Sequence, residues 1–267
     1  MRVLIVGDVH GQHRRLADSL GQVQDAYRIA AAIQVGDFGF YRDLIASART
    51  AGIRFPVPLH VIDGNHEDHA WLRRALRAGA GRVWQDELNL FYQPRSSVAR
   101  LGSSTVGFLG GALHVDRAQK PAWPNGLPNY IRRRDSDRAI ALFNRLRPEL
   151  IVTHSCPCRI GIGMRSPAEL RPGIHAHVLA AGYDPGPPDD CGEVELNRLW
   201  SALAYQPRGW VFGHFHRAHQ ALIAGTPFVC VSDELDAPAR LLVLWDTEEK
   251  KLLLCPADPS GGGEEGT

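Results

Sequence analysis

Five short segments of the chain carry residues of the kind that hold metal ions or move protons. They read Gly7-Asp8-Val9-His10-Gly11, Gly36-Asp37-Phe38-Gly39, Asp63-Gly64-Asn65-His66-Glu67, a lone His154, and Gly213-His214-Phe215-His216. Asp8 with His10, and His214 with His216, stand two residues apart, a spacing that on extended backbone sends both side chains to one side. The glycines beside them let the chain turn sharply and let backbone come close to a bound group. Carboxylate, amide and imidazole ligands without a thiolate suit borderline or hard divalent cations such as Mn²⁺, Fe²⁺, Zn²⁺ or Mg²⁺. Asp8, His10, Asp37, Asn65, His154, His214 and His216 are too many for one tetrahedral zinc. They fit two ions sharing one carboxylate bridge, an arrangement that turns water into hydroxide near neutral pH.

Each segment directly follows a short apolar run: Val3–Val6, Ala32–Val35, Leu59–Ile62, Leu150–Thr153 and Trp210–Phe212. These runs are too short for helices and are bounded by turn residues, so they read as buried strands. Helical patterns lie between them, at His13 to Val23, Tyr41 to Ala51, Glu67 to Ala78, Arg133 to Leu146 and Glu193 to Tyr205. Strand and helix in alternation point to an α/β sandwich with covered sheet faces. In open α/β sheets ligands gather beyond the carboxyl ends of strands, which is where all five segments fall. A single Gly-Asp reads as a turn or helix cap, and His154 by itself as a buried histidine; the signal is their joint placement. Strand-like runs from Leu88 to Leu109 and from Arg217 to Leu254 are expected to be antiparallel additions completing a second sheet. The irregular stretches 110–131 and 155–192 exceed the roughly 12 to 15 residues usual for a loop in a compact domain. One domain over 1–256 is expected, followed by a disordered Gly-rich tail over 257–267.

Composition narrows the classes. With 267 residues, 30 Lys+Arg against 29 Asp+Glu and a formal net charge of +1, the chain is not one that coats nucleic acid by a strongly basic surface. At 44% hydrophobic and 22% charged residues it is not disordered throughout. Five cysteines, Cys156, Cys158, Cys191, Cys230 and Cys255, are odd in number and sparse, so reduced thiols are expected. No run approaches the roughly 18 to 20 apolar residues of a membrane span, and Val3–Val6 is too short for a signal-peptide core. A cytoplasmic location with no membrane partner is the expectation.

The ordered set GDVHG, GDFG, GNHE, the strand-end His154 and GHFH resembles the calcineurin-like metallophosphoesterase superfamily, over Arg2 to about Arg217. The resemblance implies a four-layer αββα sandwich of two mixed β-sheets with a dinuclear site. Carried over by motif, Asp8, His10 and His216 would hold the first metal, Asn65, His154 and His214 the second, with Asp37 bridging and His66 as general acid. Glu67 and Asp63 both stand near enough in sequence to orient His66. The implied cofactors are two divalent ions, Mn²⁺ or Fe²⁺ first, with Zn²⁺, Ni²⁺ or Mg²⁺ as alternatives. The implied activity is phosphoester hydrolysis by a metal-bridging hydroxide attacking phosphorus in line.

A phosphodiester or nucleotide substrate is preferred to a phosphomonoester, because Asp37 is followed by Phe38-Gly39-Phe40-Tyr41-Arg42-Asp43 in place of the VDRG of protein Ser/Thr phosphatases, and because the double histidine of GHFH is present. The GDF form, GNHE, Gly110-Gly111 before a long loop and Thr153-His154-Ser155-Cys156-Pro157 are similar to lariat-debranching and phage or bacterial phosphoesterases. A phosphomonoesterase or protein phosphatase is one alternative. A non-catalytic metal-binding scaffold is another, although scaffold relatives tend to lose ligands and every position is filled here. A nucleotide or nucleic-acid substrate stays open, since two divalent ions outweigh the charges of Asp8 and Asp37. Three further features stand apart: Cys156 and Cys158 with His175 and His177, a zinc-type set of unfamiliar spacing; Arg132-Arg133-Arg134, read as a solvated face rather than a phosphate contact; and Lys120 with Trp123, which could grip a base or sugar. The sequence assigns no substrate-binding residue, natural substrate or oligomeric state.

Overall fold

The computed structural model describes residues 1–112, 130–160, 192–233 and 241–256. Lys120, Trp123, His175, His177, Cys191, most of both irregular stretches and the tail over 257–267 lie outside the described residues.

Two six-stranded sheets face each other. The first has the order β12-β11-β1-β2-β3-β4, from β1 (Arg2–Val6), β2 (Ile29–Gln34), β3 (Leu59–Val61), β4 (Leu90–Tyr92), β11 (Leu241–Asp246) and β12 (Lys251–Pro256). The second has the order β5-β6-β7-β8-β10-β9, from β5 (Ser97–Leu101), β6 (Ser104–Leu109), β7 (Leu150–Thr153), β8 (Gly209–Phe212), β9 (His219–Ile223) and β10 (Thr226–Cys230). Strands β1 to β4 pair in parallel, as do β6, β7 and β8, so their carboxyl ends reach one rim of the molecule.

Side-chain alternation makes the layers. On β1, Val3 and Ile5 enter the core between the sheets with Val106, Phe108, Val152 and Val211, whereas Leu4 and Val6 face the opposite way. That opposite face packs on Leu16 and Leu20 of α1 (His13–Tyr27), Leu44 of α2 (Leu44–Thr50), Leu72 of α3 (His69–Arg77) and Trp84 of α4 (Ala80–Leu88). Across the second sheet, Ile151, Trp210 and Phe228 pack on Phe143 of α5 (Arg133–Leu146) and Leu199 of α6 (Val194–Ala202). The result is the expected αββα sandwich.

Two expectations need correction. The run beginning near Leu88 does not simply complete a second sheet: β4 extends the first sheet in parallel, Leu59 facing Leu90. The unexpected helix α4 makes this possible by returning the chain to the strands' starting edge. It begins after Gly79 at φ 84° and ends at Asn89 at φ 61°, both left-handed. Gly81 disfavours a helix locally, and the burial of Trp84 and Leu88 against the sheet decides the matter. The second run likewise divides, β9 and β10 entering one sheet and β11 and β12 the other, with β10 parallel to β8.

Candidate metal centre

All seven candidate ligands and His66 converge on the shared rim, in the crevice between the sheets. Asp8 follows β1, Asp37 follows β2, Asn65 and His66 follow β3, His154 follows β7, and His214 and His216 follow β8. The backbone there is unusual. His10, Asp37, His214 and His216 have φ of 48°, 53°, 71° and 52°, left-handed values uncommon outside glycine that cluster at functional sites. Hydrogen bonds between the turns hold them. The amides of Val9 and His10 donate to the Asp37 carbonyl at 3.1 and 2.7 Å, and that of Gly213 to the His154 carbonyl at 2.9 Å.

Two nests of lone pairs result. In the first, Nε2 of His10 and Nε2 of His216 lie 3.1 Å apart, with Asp8 Oδ2 3.1 Å from the His216 nitrogen and 3.9 Å from that of His10. Asp8 Oδ2 is buried and no hydrogen-bond donor is aligned on it. In the second, His154 Nε2 lies 3.0 Å from Asn65 Oδ1 and 3.3 Å from Asp37 Oδ2. The His214 ring packs edge-on against His154, with centroids 5.0 Å apart. Within the described residues the three-residue groups with metal-ligating geometry are Asp8, His10 and His216, and Asp8, Asp37 and His154. The Asp8 carboxylate is thus common to both.

The electrostatics fit cations. His154 Nδ1 donates to the Val35 carbonyl at 2.9 Å, which leaves Nε2 to face the oxygens of the second nest. Burial alone would lower its pKa, but the carboxylates of Asp37 and Asp8 carry it up to about 10. A proton on Nε2 therefore occupies a place where two buried acidic groups demand positive charge. Burial would also raise Asp8 and Asp37, yet the nearby histidines, His154 foremost, hold both below the usual carboxylate range. Burial and the charge of His154 push His214 down to about 3, leaving its imidazole neutral and a ready ligand. Asp8 Oδ2, buried with no donor aligned on it, and the imidazole nitrogens that face it and Asp37 Oδ2 are what two divalent ions would satisfy, so the residues present fit the implied metals.

Supporting contacts surround these groups, some of them unforeseen in the sequence. His216 Nδ1 faces Asp233 Oδ2 at 3.3 Å, a carboxylate–imidazole pair that aims Nε2 at the first nest. Asp233 lies just beyond β10, and its strand-end position was the available signal. His66 sits at the rim, its ring 5.3 Å from that of His10, its amide donating to Asp37 Oδ1 at 2.8 Å and its carbonyl accepting from Tyr41 Oη at 3.2 Å. Glu67 and Asp63 are committed away from the His66 ring. The Glu67 carboxylate accepts from the amides of Phe38, Gly39 and Phe40 at 2.9, 3.0 and 2.6 Å, so it clamps the turn that carries Asp37. Burial and the Asp37 charge push Glu67 up to about 8 against those donors. Asp63 accepts from Arg95 Nε and Nη2 at 2.8 and 2.6 Å and from Tyr92 Oη at 3.0 Å. Of the cysteine set, Cys156 is buried in the outer core of the second sheet and Cys158 donates to the Gly192 carbonyl at 3.4 Å; the histidines proposed with them lie outside the described residues.

Comparison with known proteins extends these observations. The calcineurin-like phosphoesterase family model matches residues 1–218. No curated protein shows significant sequence similarity. Among solved structures, TT1561 of Thermus thermophilus has a TM-score of 0.59 at 14% identity, with 96% of this chain and 99% of that one covered. A putative 5′-nucleotidase from Staphylococcus aureus gives 0.53 at 15%, covering 99% and 56%, and a dimetal phosphatase from Danio rerio gives 0.51 at 12%, covering 91% of each. At these identities the structures establish a shared fold. No described helix is long and apolar enough to cross a membrane. The family match runs without a break through every strand-end segment, from β1 to just past the paired histidines after β8, and so takes in the whole crevice: the chain belongs to the calcineurin-like phosphoesterase family and is a phosphoester hydrolase.

Proposed function

We propose that the protein is a dinuclear phosphodiesterase acting on nucleotide-type substrates. The observation that carries this reading is the pair of adjoining nests, each bringing imidazole nitrogens to buried carboxylate oxygens, with the His66 ring at their mouth. Asp8, His10 and His216 would hold one ion, and Asn65, His154 and His214 the other, with Asp37 between them. Mn²⁺ or Fe²⁺ is the favoured pair for this mixed oxygen and nitrogen set. When bound, the two ions supply an activated water and neutralise charge at phosphorus.

The chain's own groups do the rest. His66, as imidazolium, donates a hydrogen bond to a phosphoryl oxygen and passes its proton to the leaving oxygen as the P–O bond breaks, a contribution typically worth 10²–10⁴-fold. Asn65 presents a neutral amide oxygen, which limits negative charge where an anion must enter. The Val35 carbonyl on His154 and the Asp233 carboxylate by His216 fix which ring nitrogen each presents. The diester preference rests on the sequence after Asp37 and on the paired histidines. It is tested with bis-p-nitrophenyl phosphate against p-nitrophenyl phosphate across a Mn²⁺, Fe²⁺, Ni²⁺, Zn²⁺ and Mg²⁺ panel. Faster turnover of the diester is expected. Turnover of the monoester alone would make the protein a phosphatase, and no turnover with two ions bound would make it a scaffold.

A further inference from the structure

Beside the metal centre, at the carboxyl end of the edge strand β4, lies a cavity of about 330 Å³. Arg95 and Asp63 form its floor, and Arg73 of α3 and Arg132 and Arg134 at the start of α5 form its walls. Four arginines against Asp63 and Asp135 give the lining a formal net charge of +2. His69, which also lines it, adds none, because burial lowers it to about 4. Both carboxylates are already engaged. Asp63 is paired with Arg95, and Asp135 accepts from the Arg132 amide at 3.2 Å and lies 3.8 Å from Arg95 Nη1. Arg73 is exposed and has no acidic side chain within 4.0 Å among the described residues. Arg134 is 70% exposed, and among the described residues the carboxylate oxygen nearest its Nε is 3.8 Å away on its own neighbour, Asp135. Burial and then the charges of Arg132, Arg77, Arg95 and Arg134 lower the Arg73 pKa, so like charges crowd around this guanidinium. The first turn of α5, a helix of 14 residues, adds the positive end of its dipole.

Such a cavity fits a multiply charged oxyanion, since guanidinium forks pair with phosphoryl oxygens two at a time. Its place on the sheet gives it a substrate. Strands β2, β3 and β4 are consecutive and parallel, so the end of β4 stands about two strand spacings, roughly 10 Å, from the Asp37 turn. The neighbouring phosphate of an extended nucleotide chain covers most of that distance, and the long arginine side chains that line the cavity reach in to cover the rest. We propose that this arginine-lined cavity is a subsite for a second phosphoryl group of the substrate, beside the phosphate that is hydrolysed. The proposal rests on the phosphodiesterase reading above, and it gives Arg132 and Arg134 the phosphate role that the sequence made the lesser reading.

The test compares internucleotide cleavage of the thymidine dinucleotide TpT with that of TpT carrying a 5′- or 3′-terminal phosphate, using the Mn²⁺-loaded full chain and its Arg73→Ala/Arg134→Ala variant. Both side chains are exposed, and circular dichroism checks that the variant is folded. The expected result is a higher kcat/KM for one phosphorylated form over TpT in the parent, with that preference falling at least tenfold in the variant, mainly through KM. Inorganic pyrophosphate binding to the Asp37→Ala protein, measured by calorimetry, is expected to weaken at least tenfold when the two arginines are removed. Equal kcat/KM for all three dinucleotides, or a preference the variant retains, overturns the subsite and leaves the hydrolase reading intact. If the parent cleaves bis-p-nitrophenyl phosphate but none of the dinucleotides, the subsite is likewise overturned; if it cleaves no phosphoester at all, both readings fall.

Discussion

Replacing Gly213 by alanine should disable the metal centre with one methyl group. The glycine lies between β8 and His214, and a Cβ there would stand 2.3 Å from Asp8 Oδ1 and 2.8 Å from Val35 Cγ2. Ordinary contacts begin at 3.4 Å, so the carboxylate must retreat by about 3.4 − 2.3 = 1.1 Å or the β8 turn must shift by as much. Metal ligands tolerate only about 0.2 Å, so the displacement exceeds the tolerance roughly fivefold. It also breaks the 3.0 Å hydrogen bond from the His214 amide to Asp8 Oδ1. Disturbing groups that merely orient ligands typically costs 10–100-fold in affinity, and moving a ligand itself should cost at least that. The accompanying overpacking should lower stability by about 1–3 kcal/mol, leaving the chain folded. Metal titration by calorimetry with elemental analysis reads the first effect, and urea unfolding of the metal-free protein the second. A Gly213→Ala protein that binds two ions with parental affinity would refute the assignment of Asp8 as a ligand.

Other perturbations separate chemistry from structure. His66→Ala should retain two ions per chain and lose about 10²–10⁴-fold in kcat, whereas Asp37→Ala should lose metal; equal metal loss in both would make His66 a ligand. Arg95→Met leaves Asp63 buried without its countercharge, a defect of about 3–5 kcal/mol, read as a lowered urea midpoint. His60 accepts a 3.0 Å hydrogen bond from Gln93 Nε2 on Nδ1 as a neutral ring, and burial lowers its pKa from 6.5 to about 4. The unfolded chain then binds the extra proton first, so this contribution to stability is present above pH 6.5 and is lost as pH falls towards 4. Between pH 7.5 and 5 the loss should be about 2 kcal/mol, and His60→Leu should remove it; an unchanged pH dependence in the variant would show that the ring is accessible to protons when folded.

Local pattern carried most of the site. A strand that ends in Gly-Asp or Gly-His is legible because period-two alternation and the glycine act within a few residues; three of the five ends read so, and all five fall on one rim. The same holds for the five strands and five helices of the α/β frame, whose apolar spacing needs no distant partner. What escaped depended on long-range packing. Helix α4 forms because Trp84 and Leu88 find a sheet face to cover, against the preference of Gly81. Glu67 was visible beside His66, but its three amide partners lie on the turn after β2, 27 to 29 residues earlier.

The sequence by itself therefore determined which chemistry the chain can host: the types of ligand, the strand ends that carry them and the fold class that gathers strand ends. Tertiary structure alone decided which groups meet. His10 reaches His216 across 206 residues of chain, Asp233 settles behind His216, and arginines from α3, the segment after β4 and the start of α5 close on one cavity. The physical reason is that ligand type and turn geometry are properties of a few adjacent residues, whereas the distance between two charges is set by sheet order and by the cores that hold the sheets together.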